Sequence, residues 1–360
     1  MLNYPTKIKK MLLKEVATFK YGIGNTIPND GGRYPVYGCN GIVGYTSKYN
    51  NEDTPIIGHI GSAGVVVWAT GKHYVTYNGT ICKANENIVD KHYLYYQLLF
   101  LKLENYLKGG QPFLSVSDFN KLSIYIPPLK EQKAIADTLS VFDIHIENLT
   151  RLIEKKKAIR DGALEDLVNG KIRLDRFNDA WKYCKIHELF NVTAGGDLNK
   201  KYFSKMATSK HLYEVFSNGI DNRGIYGYTS LALYKGNSLT ITARGTIGCA
   251  YYREKPFDAI IRLLVLIPKN DEVNPKFYEY YINNKVEFEP ENTGVPQLTV
   301  PKVKEKNIPF MERKEQEAII EVLIAMDDEI VLLKKELDKI KQIKEGTMED
   351  LLTGRVRLKV

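Results

Sequence analysis

Apolar residues fall at Leu139, Phe142, Ile146, Leu149 and Ile153, and again at Leu323, Met326, Ile330, Leu333 and Leu337, alternately three and four residues apart. That alternation draws a narrow apolar stripe down one face of a helix, the pattern of a coiled-coil seam. Ile159, Ala163 and Leu167, with Ile343, Thr347 and Leu351, extend each stripe with a change of spacing. Prolines stand before each stretch (Pro127-Pro128 and Pro309) and a glycine closes each (Gly170 and Gly354), as helix ends require. A helix from about 131 to 169 would be a rod of roughly 58 Å. One such stripe does not hold a long helix in water; it needs a partner. The other stripe supplies one in the same chain, and an antiparallel intramolecular pair is the expectation. Each helix packing on its own domain, or pairing between chains, is the alternative. Lys156 falls where Ile340 sits in the second stripe, so the seam is imperfect there.

The rest of the chain has a different rhythm. Thr54-Pro55-Ile56-Ile57-Gly58 and Val65-Val66-Val67-Trp68 read as short strands separated by glycine turns. Ser238 to Thr242 and the apolar run Ile260 to Ile267 read the same way. Helices are predicted over 90–108 and 274–285. The fold class is α+β, with two strand-rich domains separated by two long helices, and the boundaries expected are 1–126, 127–174, 175–307 and 308–360.

These parts are copies. Lys130-Glu131-Gln132 recurs as Lys314-Glu315-Gln316, an offset of 184 residues. Asp143 maps to Asp327, Asp166-Leu167 to Asp350-Leu351, and Gly170 to Gly354. Gly61-Ser62-Ala63-Gly64 maps to Gly245-Thr246-Ile247-Gly248, and Gly110 with Leu114-Ser115-Val116 to Gly294 with Leu298-Thr299-Val300. Two copies are too few for a solenoid. They predict a pseudo-two-fold tandem repeat that meets a partner or target in two places.

Composition narrows the target. The net charge is +8, and the hydrophobic fraction of 44% suffices for real cores. Residues 1–126 hold 13 basic and 8 acidic side chains, and 175–307 hold 19 and 15, whereas the two helical segments are close to neutral. Positive charge in two separate globular units suits a polyanion gripped at two points. Cys39, Cys82, Cys184 and Cys249 form no CxxC pair, so free thiols in a reducing cytoplasm are expected rather than zinc or disulfides. The first residues show no apolar signal core, and no stretch is apolar enough to span a membrane.

Catalytic chemistry is hard to assemble. Asn274-Pro275-Lys276-Phe277 loosely resembles an amino-methyltransferase tetrapeptide, but no glycine-rich cofactor loop accompanies it, and a helix cap with proline at the first position explains it better. His59, His73 and Cys82 match no familiar metal spacing. What remains is the pair of Gly-Ser/Thr-x-Gly turns and the glycine-glutamine loops. Ser62 and Thr246 offer hydroxyls to phosphate, Gln111 and Gln297 can read adenine edges, and Arg244 can read guanine. Both turns could equally be plain strand connections.

Ile126-Pro127-Pro128-Leu129-Lys130-Glu131-Gln132 opening a long helix, Asp143 eleven residues on, the ending Leu167-Val168-Asn169-Gly170-Lys171-Ile172, and the near-copy from Ile308 to Val356 together resemble the specificity subunit of type I restriction-modification enzymes. The resemblance covers the whole chain. The second helix start, Pro309-Phe310-Met311-Glu312-Arg313-Lys314, is two residues longer than the first, and the chain is short for the family. It implies two target-recognition domains, each reading one half of a split DNA sequence and held apart by the paired helices. It implies two adenine-methylating subunits docked along those helices, and an ATP- and Mg-using restriction subunit that can join. S-adenosylmethionine and base flipping would belong to the methylating partners, leaving no cofactor in this chain. A stiff spacer would fix half-sites about 34–36 Å apart, or a multiple. A coiled-coil scaffold joining two proteins without DNA is the reading from another class, and a single-chain modifying enzyme is a third. Dissimilar front domains imply an asymmetric target.

Overall fold

The computed structural model describes residues 8–24, 26–107, 113–291 and 296–360. The chain divides into two compact units, one formed by residues 1–151 with 334–360 and the other by 152–333.

Unit 1 runs through β1 (Lys9–Leu12), α1 (Leu13–Val16), β2 (Ala17–Tyr21), β3 (Tyr34–Gly38), β4 (Gly41–Thr46), β5 (Asn51–Gly58), β6 (Val66–Val75) and β7 (Gly79–Ala84). It continues with α2 (Lys91–Phe100), α3 (Val116–Phe119), β8 (Ser123–Ile126) and the start of α4 (Leu129–Val168). Six strands form one sheet in the order β2-β7-β5-β6-β3-β4, and β1 pairs with β8. Unit 2 contains β9 (Lys182–Lys185), α5 (Ile186–Leu189), β10 (Phe190–Ala194), β11 (Phe203–Ser204), β12 (Tyr213–Phe216), β13 (Ile225–Thr229) and β14 (Ser238–Ile241). After these come β15 (Ala250–Arg253), β16 (Phe257–Ala259), β17 (Leu264–Pro268), α6 (Pro275–Lys285), α7 (Val300–Lys304), β18 (Asn307–Phe310) and α8 (Arg313–Leu352), whose residues from 334 onward belong to unit 1. Its strands make sheets β10-β17-β14-β15 and β11-β13-β12-β16, and β18 pairs with β9.

Register repeats with the sequence. Thr54 faces Ala69 and Ile56 faces Ile81 in unit 1, as Ser238 faces Arg253 and Thr240 faces Val265 in unit 2. β6 corresponds to β15 and β16 together. Pro256 lies at the break, where it cannot donate to a ladder. The offset of 184 does not reach the start of each unit, because β1 at Lys9 answers β9 at Lys182, 173 residues on.

The Lys-Glu-Gln motif is structural. Gln132 is fully buried; its Oε1 accepts from the Asp90 N–H (2.8 Å), and its Nε2 donates to the carbonyls of Ile88 (3.0 Å) and Pro127 (2.8 Å). Gln316 repeats this on Asn274, Glu272 and Met311. The side chain thereby ties the start of a long helix to the start of α2 or α6 and satisfies helix-end groups that would otherwise be orphaned. Glu131, 3% exposed, accepts both nitrogens of Arg357 in unit 1, and Glu315 accepts both of Arg173 in unit 2. Such forked pairs are the strong class of charged hydrogen bond. Asp143 takes the Tyr96 hydroxyl (2.7 Å) and Lys344; Asp327 takes the Tyr280 hydroxyl (3.3 Å) and Arg160.

In unit 1 the first part of α4 lies antiparallel to the last part of α8, Asp143 meeting Lys344 and His145 meeting Glu336. In unit 2 the remainder of α4 lies antiparallel to the start of α8, Lys156 meeting Glu329 and Arg160 meeting Asp327. The long helices therefore form an intramolecular antiparallel coiled coil. Leu149, Ile153 and Ile330 are buried along it, Leu139 and Leu323 are buried in the cores of their own units, and Phe142, Ile146, Met326, Leu333 and Leu337 are partly covered. Lys156 is kept at the seam by its ion pair.

Several expectations need correction. Ile159 and Ile343 are exposed (49% and 43%); the stripe passes instead through Arg160 and Lys344, whose charges end on Asp327 and Asp143. The run from Ile260 is not strand throughout, because Ile261 and Arg262 have positive φ (56° and 61°) and turn the chain before β17 begins at Leu264. The helix expected over 90–108 stops at Phe100, and Lys102 in the left-handed region leads into a 3-10 turn, Leu103–Tyr106. The long helix begins at Leu129, two residues before Glu131. Asn274 does cap α6, accepting from the Lys276 N–H with Pro275 in the first turn. Gly170 and Gly354 (φ 63° and 75°) take the left-handed conformation that ends a helix.

Each unit has its own core. Leu13, Tyr93, Leu94, Phe119, Leu139 and Leu352 are buried together in unit 1, and Phe190, Leu239, Phe277, Tyr278, Leu298 and Leu323 in unit 2.

Candidate nucleic-acid interface

In both units the Gly-Ser/Thr-x-Gly turn joins two antiparallel strands and shares its framing backbone bonds, although within the turn Val65 N–H donates to the Ser62 carbonyl whereas Cys249 N–H donates to Thr242 Oγ1. Gly64 N–H donates to the Gly58 carbonyl (2.8 Å) and Gly248 N–H to that of Thr242 (2.9 Å). Gly58 N–H reaches the Val65 carbonyl (2.9 Å) and Thr242 N–H that of Cys249 (3.0 Å). Glycine is required at Gly64, where φ is 87° and a Cβ would come within 2.6 Å of the Glu104 nitrogen. A second segment lies against each turn. Leu114 N–H donates to the His59 carbonyl (3.2 Å), and Leu298 N–H to that of Ala243 (2.9 Å). Leu114 and Leu298 are fully buried, so the second segment is anchored in the core.

Arg244 and Gln297 meet here. Arg244 Nε and Nη2 both donate to Gln297 Oε1, at 3.1 and 2.8 Å, and both residues are half-buried. Thr246 is exposed at the turn tip and Ser62 is half-buried in the other turn. Gln111 lies outside the described residues. At the place of Arg244 and Gln297, unit 1 has Ile60 and Phe113, bridged as antiparallel neighbours and 37% and 40% exposed. Behind them His59 is fully buried, its Nδ1 3.2 Å from Thr80 Oγ1 and its ring 4.3 Å from that of Tyr21. Burial pulls the His59 pKa below the usual histidine range and keeps the ring neutral.

Cations on aromatic rings form a feature that motif spacing missed. Arg33 lies 4.7 Å over Tyr34 and Lys72 4.6 Å over Tyr49, and the two tyrosine rings are 5.1 Å apart. Asp30 braces the hairpin beneath by accepting from Gly32 N–H (3.0 Å), Ser47 N–H (2.8 Å) and the Ser47 hydroxyl (2.9 Å), which hold its carboxyl below the usual range. In unit 2 Lys205 lies 4.6 Å over Tyr226 and Lys201 5.4 Å over Tyr202. Such pairs expose charge and flat apolar surface together, which suits phosphate and base or sugar contact. Sequence adjacency signals two of these four pairs, Arg33-Tyr34 and Lys201-Tyr202, whereas Tyr49 with Lys72 and Lys205 with Tyr226 lie 23 and 21 residues apart.

Among the described residues, no helix is long and apolar enough to cross a membrane.

Comparison with known proteins agrees with this arrangement. The family model for the type I restriction modification DNA specificity domain matches residues 5–157 and again 178–342. A putative type I specificity subunit of Mycoplasma pneumoniae is 25% identical over 327 residues, 88% of each chain. A putative type I restriction enzyme specificity subunit of Methanocaldococcus jannaschii is 27% identical over 307 residues, 78% of this chain and 72% of that one. The solved S subunit of a type I restriction-modification system from M. genitalium superposes with a TM-score of 0.66 at 21% identity, covering 98% of both chains. Two matched domains, a duplicated framework and the paired long helices place this chain in the type I restriction-modification DNA specificity family.

Proposed function

We propose that the chain recognises a split, asymmetric sequence in double-stranded DNA, one half-site per domain, and docks two methyltransferase subunits. It is the noncatalytic reader of that complex. The methylating subunits supply S-adenosylmethionine and flip the target adenine, and restriction subunits with ATP and Mg join the same assembly in the cytoplasm. The observation that carries this reading is the contrast between framework and surface. Gln132 and Gln316, Glu131 and Glu315, and Asp143 and Asp327 repeat their bonds, while the pair beside each turn is apolar and exposed in one unit and polar and half-buried in the other. A protein that reads two different half-sites needs one scaffold twice and two different surfaces.

The test is retention of duplex DNA by the chain together with its methyltransferase partner across a salt series. Retention should favour one split sequence and fall steeply with salt. Retention insensitive to both sequence and salt overturns the reading and leaves a protein-bridging scaffold.

A further inference from the structure

We propose that Ile60–Phe113 in unit 1 and Arg244–Gln297 in unit 2 are equivalent base-reading positions, the first taking a thymine methyl and the second a guanine. This rests on the function proposed above. Both pairs are formed by the same two segments, held by the same backbone bonds and anchored by the same buried leucine. The presented chemistry differs, and so does the local pairing, because Ile60 and Phe113 bridge each other whereas the backbone of Gln297 bridges Glu291.

Arg244 is prepared for its task. Gln297 Oε1 occupies the side edge of the guanidinium, taking Nε and one hydrogen of Nη2. Nη1 and the remaining Nη2 hydrogen form the end-on fork, whose two parallel donors match guanine O6 and N7. An arginine fixed in advance loses less rotamer freedom when it binds. Gln297 is thus a positioning residue, and the guanidinium makes the base contact.

Ile60 and Phe113 cannot act in that way, because neither side chain has a donor or an acceptor. Guanine or cytosine edges pressed against them would lose water and gain nothing. The one apolar feature of the major groove is the thymine methyl, and an exposed isoleucine beside an exposed phenylalanine forms a surface for it. The half-site of unit 1 should therefore carry an A·T pair where that of unit 2 carries G·C.

The test uses the chain with its methyltransferase subunits and a duplex library in which two half-sites are randomised across several gap lengths. Wild type should retain a split sequence with guanine at one position of one half-site. In Arg244→Ala that preference should fall about 10- to 100-fold, with the other half-site unchanged. Gln297→Leu should weaken the same preference, and Gln297→Glu, which keeps the accepting oxygen, should preserve it. Replacing the matched thymine by deoxyuridine should lower wild-type retention about fourfold, the worth of one methyl, and should leave Ile60→Ala/Phe113→Ala indifferent. An Arg244→Ala chain that loses every duplex equally is a phosphate contact, and overturns the inference. So does wild type that selects a split sequence while the variants select it unchanged. Wild type that selects no split sequence overturns the proposed function, and this inference with it.

Discussion

Unit 1 carries β6 as one strand of 10 residues; unit 2 carries β15 and β16, separated around Pro256. That difference gives unit 1 a single sheet of six strands and unit 2 two sheets of four. The surrounding pairings keep their register regardless: β5 on β7 matches β14 on β17, and β3 on β6 matches the parallel pairing of β12 on β16. The two units thus diverge at an interior strand, which is continuous in one and broken in the other, and agree where long helix meets domain. A buried charge or amide with several partners cannot be changed alone without stranding the others. An exposed side chain beside a turn can.

That contrast can be broken most forcefully at the buried ion pairs. Arg357→Met should destabilise unit 1 by about 3–5 kcal/mol, because it strands the carboxylate of Glu131, and Arg173→Met should do the same to unit 2 through Glu315. Calorimetry on each variant checks this; a large cost in one unit and none in the other would end the equivalence. Somewhat smaller is the effect of truncating the repeated core leucine. Leu139→Ala and Leu323→Ala are both fully buried sites and should each cost about 3 kcal/mol by denaturant unfolding.

Acid should separate the units. Burial lowers the pKa of both His59 and His73 in unit 1, so the folded state keeps them neutral while the unfolded chain binds protons below about 6.5. Their contribution is complete above that value and is lost as pH falls toward the lower folded pKa values. His187 and His211 of unit 2 are partly exposed. Hydrogen exchange between pH 7 and 5.5 should show unit 1 losing protection first, and His59→Gln should reduce the gap. Simultaneous loss in both units would show that these histidines do not set acid stability. The smallest expected effect is at the helix ends, where Gly170→Ala should cost about 1 kcal/mol through its positive φ. Gly354→Ala should cost a similar amount, since its Cβ meets the movable end of the Ile8 side chain while that of Gly170 would press on the Trp181 ring at 3.1 Å, and thermal melts of the two variants compare them.

The long helices, their glycine ends and the duplication were legible because each is written in residues a few positions apart, or in direct repetition. The seam beyond Ile153 was not: hydrophobicity pointed to Ile159, yet Arg160 faces inward because Asp327 is there to receive it. The reading of Ile260 to Ile267 as one strand failed for a similar reason, since the turn at Ile261 is fixed by bonds to Gly196 and Asn218. Arg244 and Gln297 could each be singled out as polar residues near glycine. Their union, and the apolar pair standing in the same place of unit 1, could not.

By itself the chain determined that one unit occurs twice, that each copy ends in a helix with a 3–4 apolar stripe, and that a Lys-Glu-Gln signature opens it, since helical periodicity and end chemistry are local. Only the tertiary structure decided what those signatures touch. Glu131 finds Arg357 across 226 residues, and Arg244 finds Gln297 across 53. Such pairings depend on how strands close into sheets and which residues each sheet brings together, and no spacing along the chain encodes them.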